Sequence, residues 1–159
     1  RPGTIRDVKA IVEEAKRTNS RADWRLAAMG VLCFFGCRRH DYLVRIRVEE
    51  VTMSRDKIRV FMRKNKTDIY HEGAVCSITV GGRAFDVKGF LEDYFRRLGL
   101  EKGSCVFPKI LGKGRKEVPT TYPVMYKELE MMKGKVGLQG NLTWHSWRIG
   151  SASRGTNWE

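Results

Sequence analysis

Apolar positions along the chain recur at two periods, and the switch between them divides it. From Thr4 the period is helical. Ile5, Val8, Val12 and Ala15 share a face, Thr4 with Asp7 three residues on makes a capping pair, and Asn19 ends the run. Ser20 with Asp23 repeats the cap. Trp24, Ala27, Ala28, Val31, Phe34 and Phe35 then predict a core helix closed by Gly36. Beyond it the period falls to two. Val44, Ile46 and Val48 alternate with Arg45, Arg47 and Glu49, and Ile58, Val60 and Met62 alternate with Arg59, Phe61 and Arg63. Ser54-Arg55-Asp56 reads as the turn between these strands. Residues 75–80 read as a third strand, closed by Gly81-Gly82, and the polar residues 64–73 as a long loop centred on Lys66.

The helical period then returns. Val87, Phe90, Leu91, Tyr94 and Leu98 form one stripe, stopped by Gly99. Phe107-Pro108 is a candidate buried anchor, and residues 111–116 are a basic, glycine-rich loop. A helix from about Thr121 is expected to bury Tyr122, Met125, Leu129, Met132 and Val136 and to end at Gly137 and Gly140. Asn141 or Thr143 opens a last helix carrying His145 and Arg148. The pattern predicts a single α+β domain over residues 1–159, mainly helical, with a small three-stranded antiparallel sheet. Arg1 to Gly3 read as linker, and no internal repeat is present.

Charge adds a partner. Lys plus Arg number 31 against 18 Asp plus Glu, a net charge of +13. Such an excess calls for a polyanion, first of all nucleic acid, with an anionic membrane surface as the weaker alternative. The basic residues form no single amphipathic helix, and no apolar run is long enough to span a bilayer. Hydrophobic residues at 42% suit a folded globular chain. Cys33, Cys37, Cys76 and Cys105 are too scattered to suggest a disulfide framework, which favours a reducing, intracellular compartment. Asn141-Leu142-Thr143 matches a glycosylation sequon of a kind common by chance.

Three stretches carry candidate chemistry. Gly36-Cys37-Arg38-Arg39-His40-Asp41 places an arginine just past a buried helix, and a guanidinium's planar fork suits a phosphate. Lys64-Asn65-Lys66-Thr67 lies between two strands. His145 and Arg148, three apart on a helix, share a face. Each has an ordinary reading: a surface salt bridge for the arginine, a solvated lysine, a helix pair binding a nearby carboxylate. Cys33, Cys37 and His40 lack a fourth ligand for tetrahedral zinc. Gly112-Lys113-Gly114-Arg115 lacks the full phosphate-loop spacing. No metal and no cofactor are expected.

Taken in order, the three stretches resemble the tyrosine recombinases, or phage-type integrases. Gly36-Cys37-Arg38 with Asp41 resembles the first catalytic arginine motif, whose acid helps fix the loop. Lys66-Thr67 resembles the strand-loop lysine, and His145-Ser146-Trp147-Arg148 the His-x-x-Arg box. The form of these motifs is similar to that of eukaryotic mobile-element recombinases of the Crypton and DIRS kinds, which would imply a nuclear setting; otherwise the cytoplasm or nucleoid is implied.

The resemblance implies DNA strand breakage and rejoining through a 3′-phosphotyrosine, as in DNA integration, recombination or transposition. Arg38, Lys66, His145 and Arg148 would be catalytic and Asp41 would support them. Arg39, Lys64, Asn65 and Thr67 are candidates for touching double-stranded DNA, with plain exposure as the other reading. Self-association on DNA is implied for the whole protein. Family members carry a nucleophilic tyrosine after the His-x-x-Arg box, whereas Tyr42, Tyr70, Tyr94, Tyr122 and Tyr126 all precede it here. The expectation is therefore a partial catalytic domain, without the tyrosine-bearing segment and without the N-terminal core-binding domain, inactive alone. A non-catalytic DNA-binding module derived from such an element, and a type IB topoisomerase-like domain, stay open.

Overall fold

The computed structural model describes residues 1–37, 40–63, 74–81, 85–110, 116–144, 146 and 147, with the backbone alone for His40, Asp41 and Ala74. The elements run α1 (Ile5–Thr18), α2 (Arg21–Phe35), α3 (His40–Leu43), β1 (Val51–Met53), β2 (Lys57–Met62), β3 (Ala74–Thr79), α4 (Val87–Leu98) and α5 (Tyr122–Val136). They divide into two compact units, Arg1–His40 with Thr121–Glu159, and Asp41–Thr120. Among the described residues, no helix is long and apolar enough to cross a membrane.

The first unit contains α1, α2 and α5. Thr4 and Asp7 close a reciprocal capping box at the start of α1. Ser20 caps α2, accepting from the Asp23 N–H, and nearly the whole of α2 from Trp24 to Phe35 is buried. Arg25 is among those residues, 2% exposed, and its guanidinium meets Glu128 of α5 at 2.5 Å. Helix α5 buries Met125, Leu129 and Met132, and ends on Gly137 at φ 68°, a left-handed conformation that costs glycine little. Tyr122 departs from the expected stripe. It is 39% exposed and Tyr126 is 43% exposed, their rings 6.3 Å apart on the helix exterior. Tyr122 is the first helical residue, where the helical period has only begun to sort sides.

Asp7 is 5% exposed and takes both Arg1 guanidinium nitrogens, at 2.9 and 3.0 Å. Burial pushes its carboxyl up, but the hydrogen bonds from Arg1 and Thr4 outweigh that and hold it below the ordinary carboxylate range. A carboxyl depressed in the folded state stabilises the fold above its unfolded value, and the contribution fades as pH falls through the folded one. Asp7→Asn is therefore expected to cost about 1 kcal/mol near neutral pH and almost nothing in strong acid. Urea titrations at the two conditions check this; an equal loss at both would mean that the effect is not one of charge.

The second unit contains the sheet and α4. The sheet has the order β1-β2-β3, antiparallel throughout, with Val51 opposite Val60 and Val60 opposite Cys76. Ile58, Val60, Met62, Cys76 and Ile78 face the core. Helix α4 carries the expected stripe, with Val87, Phe90, Leu91, Tyr94 and Leu98 buried, and the Tyr94 hydroxyl donates to the Val106 carbonyl at 2.6 Å.

The first predicted strand is displaced. Residues 44–48 are not a strand of the sheet; β1 begins at Val51. The alternation still reports burial, since Val44 and Ile46 are buried. Their segment pairs elsewhere: the Val48 N–H donates to the Ser104 carbonyl at 3.0 Å, and the Val106 N–H to the Ile46 carbonyl at 3.0 Å. A short helical turn, Val48–Glu50, then redirects the chain into β1. Cys33, Cys37, Cys76 and Cys105 are all buried. Burial pushes the Cys105 thiol up.

Candidate nucleic-acid interface

Arg38, Arg39, Lys64, Asn65, Lys66, Thr67, His145 and Arg148 lie outside the described residues. The Asp41 backbone belongs to α3, and its side chain also lies outside them. What is described is the frame on which each candidate is mounted.

The first frame is the end of α2. Phe34 and Phe35 meet edge to face at 5.0 Å, and both are buried. The Leu32 carbonyl accepts from the Gly36 N–H at 3.2 Å and from the Cys37 N–H at 2.7 Å. Cys37 is fully buried. The residue before Arg38 is thus tied by its backbone to the last turn of the core helix, and its side chain is buried.

The second frame is the β2–β3 hairpin in the other unit. Its ladder runs to the rung Met62 opposite Ala74, and Lys66 falls in the connection between them. Just past β2, Arg63 Nε meets Glu50 Oε2 at 2.7 Å, while Glu50 Oε1 accepts from the Arg47 N–H at 2.9 Å. A paired rung and a tethered arginine therefore stand at the entry to the Lys66 segment.

The third frame is residues 141–147. The Thr143 N–H donates to Ser146 Oγ at 2.8 Å, and the Ser146 N–H to the Thr143 carbonyl at 2.9 Å. Trp144, Ser146 and Trp147 are helical, in keeping with a helix opening near Thr143. Leu142, Trp144 and Trp147 are buried, and the two indole rings lie 5.1 Å apart. Trp147 seats between the chain start and α2. A Cβ on Gly3 would fall 2.5 Å from Trp147 Cδ1, so only glycine fits there, and the ring's far edge is 3.8 Å from the Cβ position of Gly30 in α2. Gly3 also donates to the Ser146 carbonyl at 2.8 Å. Within the first unit, then, the residues preceding Arg38 and Arg148 belong to one core built on α2. Sequence periodicity gave no sign of this, because a tryptophan between two polar motif residues has no partner in sequence to define its side.

The sequence matches no protein-family model and no curated protein. Its fold is similar to that of a site-specific recombinase. XerH bound to palindromic difH substrate, in a post-cleavage complex, matches with a TM-score of 0.65 and 15% identity, over 95% of this chain and 40% of that one. XerH bound to difH substrate in a pre-cleavage complex matches with a TM-score of 0.61 and 14% identity, over 96% of this chain and 41% of that one. The chain thus spans about 40% of the length of these structures. At such identities the likeness defines the fold: α+β, the mainly helical fold of the tyrosine-recombinase catalytic domain, with its small three-stranded antiparallel sheet.

Proposed function

We propose that the chain is part of the catalytic domain of a tyrosine-type DNA recombinase, which cuts and rejoins double-stranded DNA. The observation that carries this reading is a recombinase fold over 95% of the chain. It is joined by the order of Arg38, Lys66, His145 and Arg148 along the sequence. In the proposed reaction a tyrosine oxygen attacks phosphorus and the bond to the 5′ oxygen breaks. This leaves a 3′-phosphotyrosine and a free 5′ hydroxyl, and attack by a second 5′ hydroxyl reverses the step. Arg38 and Arg148 hold the non-bridging oxygens, where negative charge grows in the transition state. Lys66 gives its proton to the departing 5′ oxygen. His145 donates to the phosphate, and Asp41 steadies the Arg38 loop. Arg39, Lys64, Asn65 and Thr67 contact the flanking backbone. The attacking tyrosine is not among the five in this sequence, all of which precede Arg148. Further copies assemble on the DNA for strand exchange.

The test incubates the chain, with a tyrosine-bearing segment supplied in cis or in trans, with a nicked suicide duplex, and reads covalent adduct on a denaturing gel. Arg38→Ala and Arg148→Ala are each expected to lower adduct formation about 10²–10³-fold. Exposed Arg55→Ala should change it little. Lys66→Ala should slow cleavage, and recover when the leaving oxygen is replaced by sulfur, which needs no proton. Absence of adduct on every cognate duplex, with salt-sensitive binding intact, would leave a DNA-binding module in place of an enzyme.

A further inference from the structure

The outward face of the β1-β2-β3 sheet has no part in the site described above. Register puts Thr52, Arg59 and Ser77 side by side on one row, Lys57 beside Thr79 on a second, and Phe61 beside Val75 on a third. The alternate residues of β2 and β3 are the buried ones, so these rows face away from the core. Thr52, Lys57, Arg59, Ser77 and Thr79 are exposed, Val75 is 61% exposed, and Phe61 is half-buried.

The chemistry of this face is specific. Two cations lie along its central strand, small hydroxyls flank them, and an apolar rung lies at one end. Among the described residues none of the three rows carries a carboxylate. Glu50, just before β1, is taken up by Arg63 and the Arg47 N–H, and Asp56 sits in the β1–β2 turn. A face serving solubility alone mixes both signs. A protein partner would ask for a larger apolar centre, where here the centre is Arg59.

We propose that this face binds a single strand of nucleic acid along β2, with phosphates on Lys57 and Arg59 and a base against Phe61 and Val75. Lys57 and Arg59 are two residues apart on one strand, about 7 Å, so they can serve successive charges along an extended backbone. The guanidinium takes a phosphate through paired hydrogen bonds, and the Thr52 and Ser77 hydroxyls can add donors beside it. An unpaired strand offers base faces to an aromatic or apolar rung on an open sheet, whereas a duplex hides them and gives Val75 nothing to cover. The inference is independent of the arginine site proposed above.

The test is fluorescence anisotropy of a labelled oligothymidylate and of a labelled duplex, with thermal melts confirming that each variant is folded. Lys57→Ala/Arg59→Ala should weaken oligothymidylate binding at least tenfold and lower its salt slope by about 0.7 for each phosphate left without a cation. Val75→Asp should weaken it about tenfold while leaving duplex binding within about twofold. Unchanged oligothymidylate binding in the double variant overturns the inference. So do equal losses on duplex and single strand, which would make the face a plain binder of duplex phosphates. Arg38→Ala/Arg148→Ala should lower duplex binding and spare oligothymidylate. Duplex binding untouched by that pair would sink the arginine site and leave the sheet face standing.

Discussion

Glu128→Ala is expected to cost the first unit about 3 kcal/mol, near the lower end of what breaking a buried ion pair costs. The two partners are unequally placed. Arg25 is 2% exposed on its side chain, while Glu128 is 26% exposed. Removing the carboxylate takes an ion-pair partner from a charge that is buried and cannot lose its proton. Removing the guanidinium leaves a carboxylate that is partly solvated and able to rehydrate. Arg25→Met should therefore cost clearly less than Glu128→Ala, although both remove the same Coulomb attraction. Glu128 Oε1 is also buried without a hydrogen-bond partner among the described residues, so the pair is not fully compensated even when intact. The double variant Arg25→Met/Glu128→Leu, which replaces charge by apolar volume, should recover most of the loss. Urea unfolding of the four chains reads the cycle. Equal costs for the two single variants would mean that solvent reaches Arg25 after all.

This pair also shows where sequence reading stops. The caps at Thr4 and Ser20, the end of α5 at Gly137 and the α4 stripe are local signals, each written within a few residues, and they hold in the structure. The Arg25–Glu128 contact joins residues 103 apart in sequence. Nothing local to Arg25 distinguishes it from a solvated arginine on a helix. Residues 44–48 fail for a related reason. Alternation records which side chains are buried but not which segment shares the backbone hydrogen bonds, and here they are exchanged with residues 104–106. The exposed outer face of β2 was visible as Arg59 and Phe61 alternating with Ile58 and Val60. Its register with Thr52 and Ser77 needed the folded sheet. For the candidate site, residue types and their order were legible. The frames behind them were not, because Trp147 packs on Gly3 and Gly30, far away along the chain.

Trp147→Ala is expected to be the most costly single change near that site, about 3–5 kcal/mol for a large buried side chain. Trp147 is fully buried, lies 5.1 Å from the Trp144 ring, and fills the space between Gly3 and α2. Those neighbours sit on backbone tied by the Gly3–Ser146 and Lys133–Leu142 hydrogen bonds, so the hole cannot readily collapse. Gly30 supplies the control. A Cβ there would lie 3.8 Å from the indole, ordinary van der Waals distance, so Gly30→Ala should be tolerated and gain up to about 1 kcal/mol from the helix's preference for alanine. In the Trp147→Ala background, Gly30→Leu points new apolar volume into the vacated space and should return part of the lost stability. The same pair of chains separates packing from positioning. Refilling the hole from α2 restores burial, but it does not restore the rigid indole that precedes Arg148. If that indole sets where the guanidinium stands, the refilled variant should regain its urea midpoint while adduct formation stays depressed. Recovery of both together would show that Arg148 takes its place from the helix backbone alone.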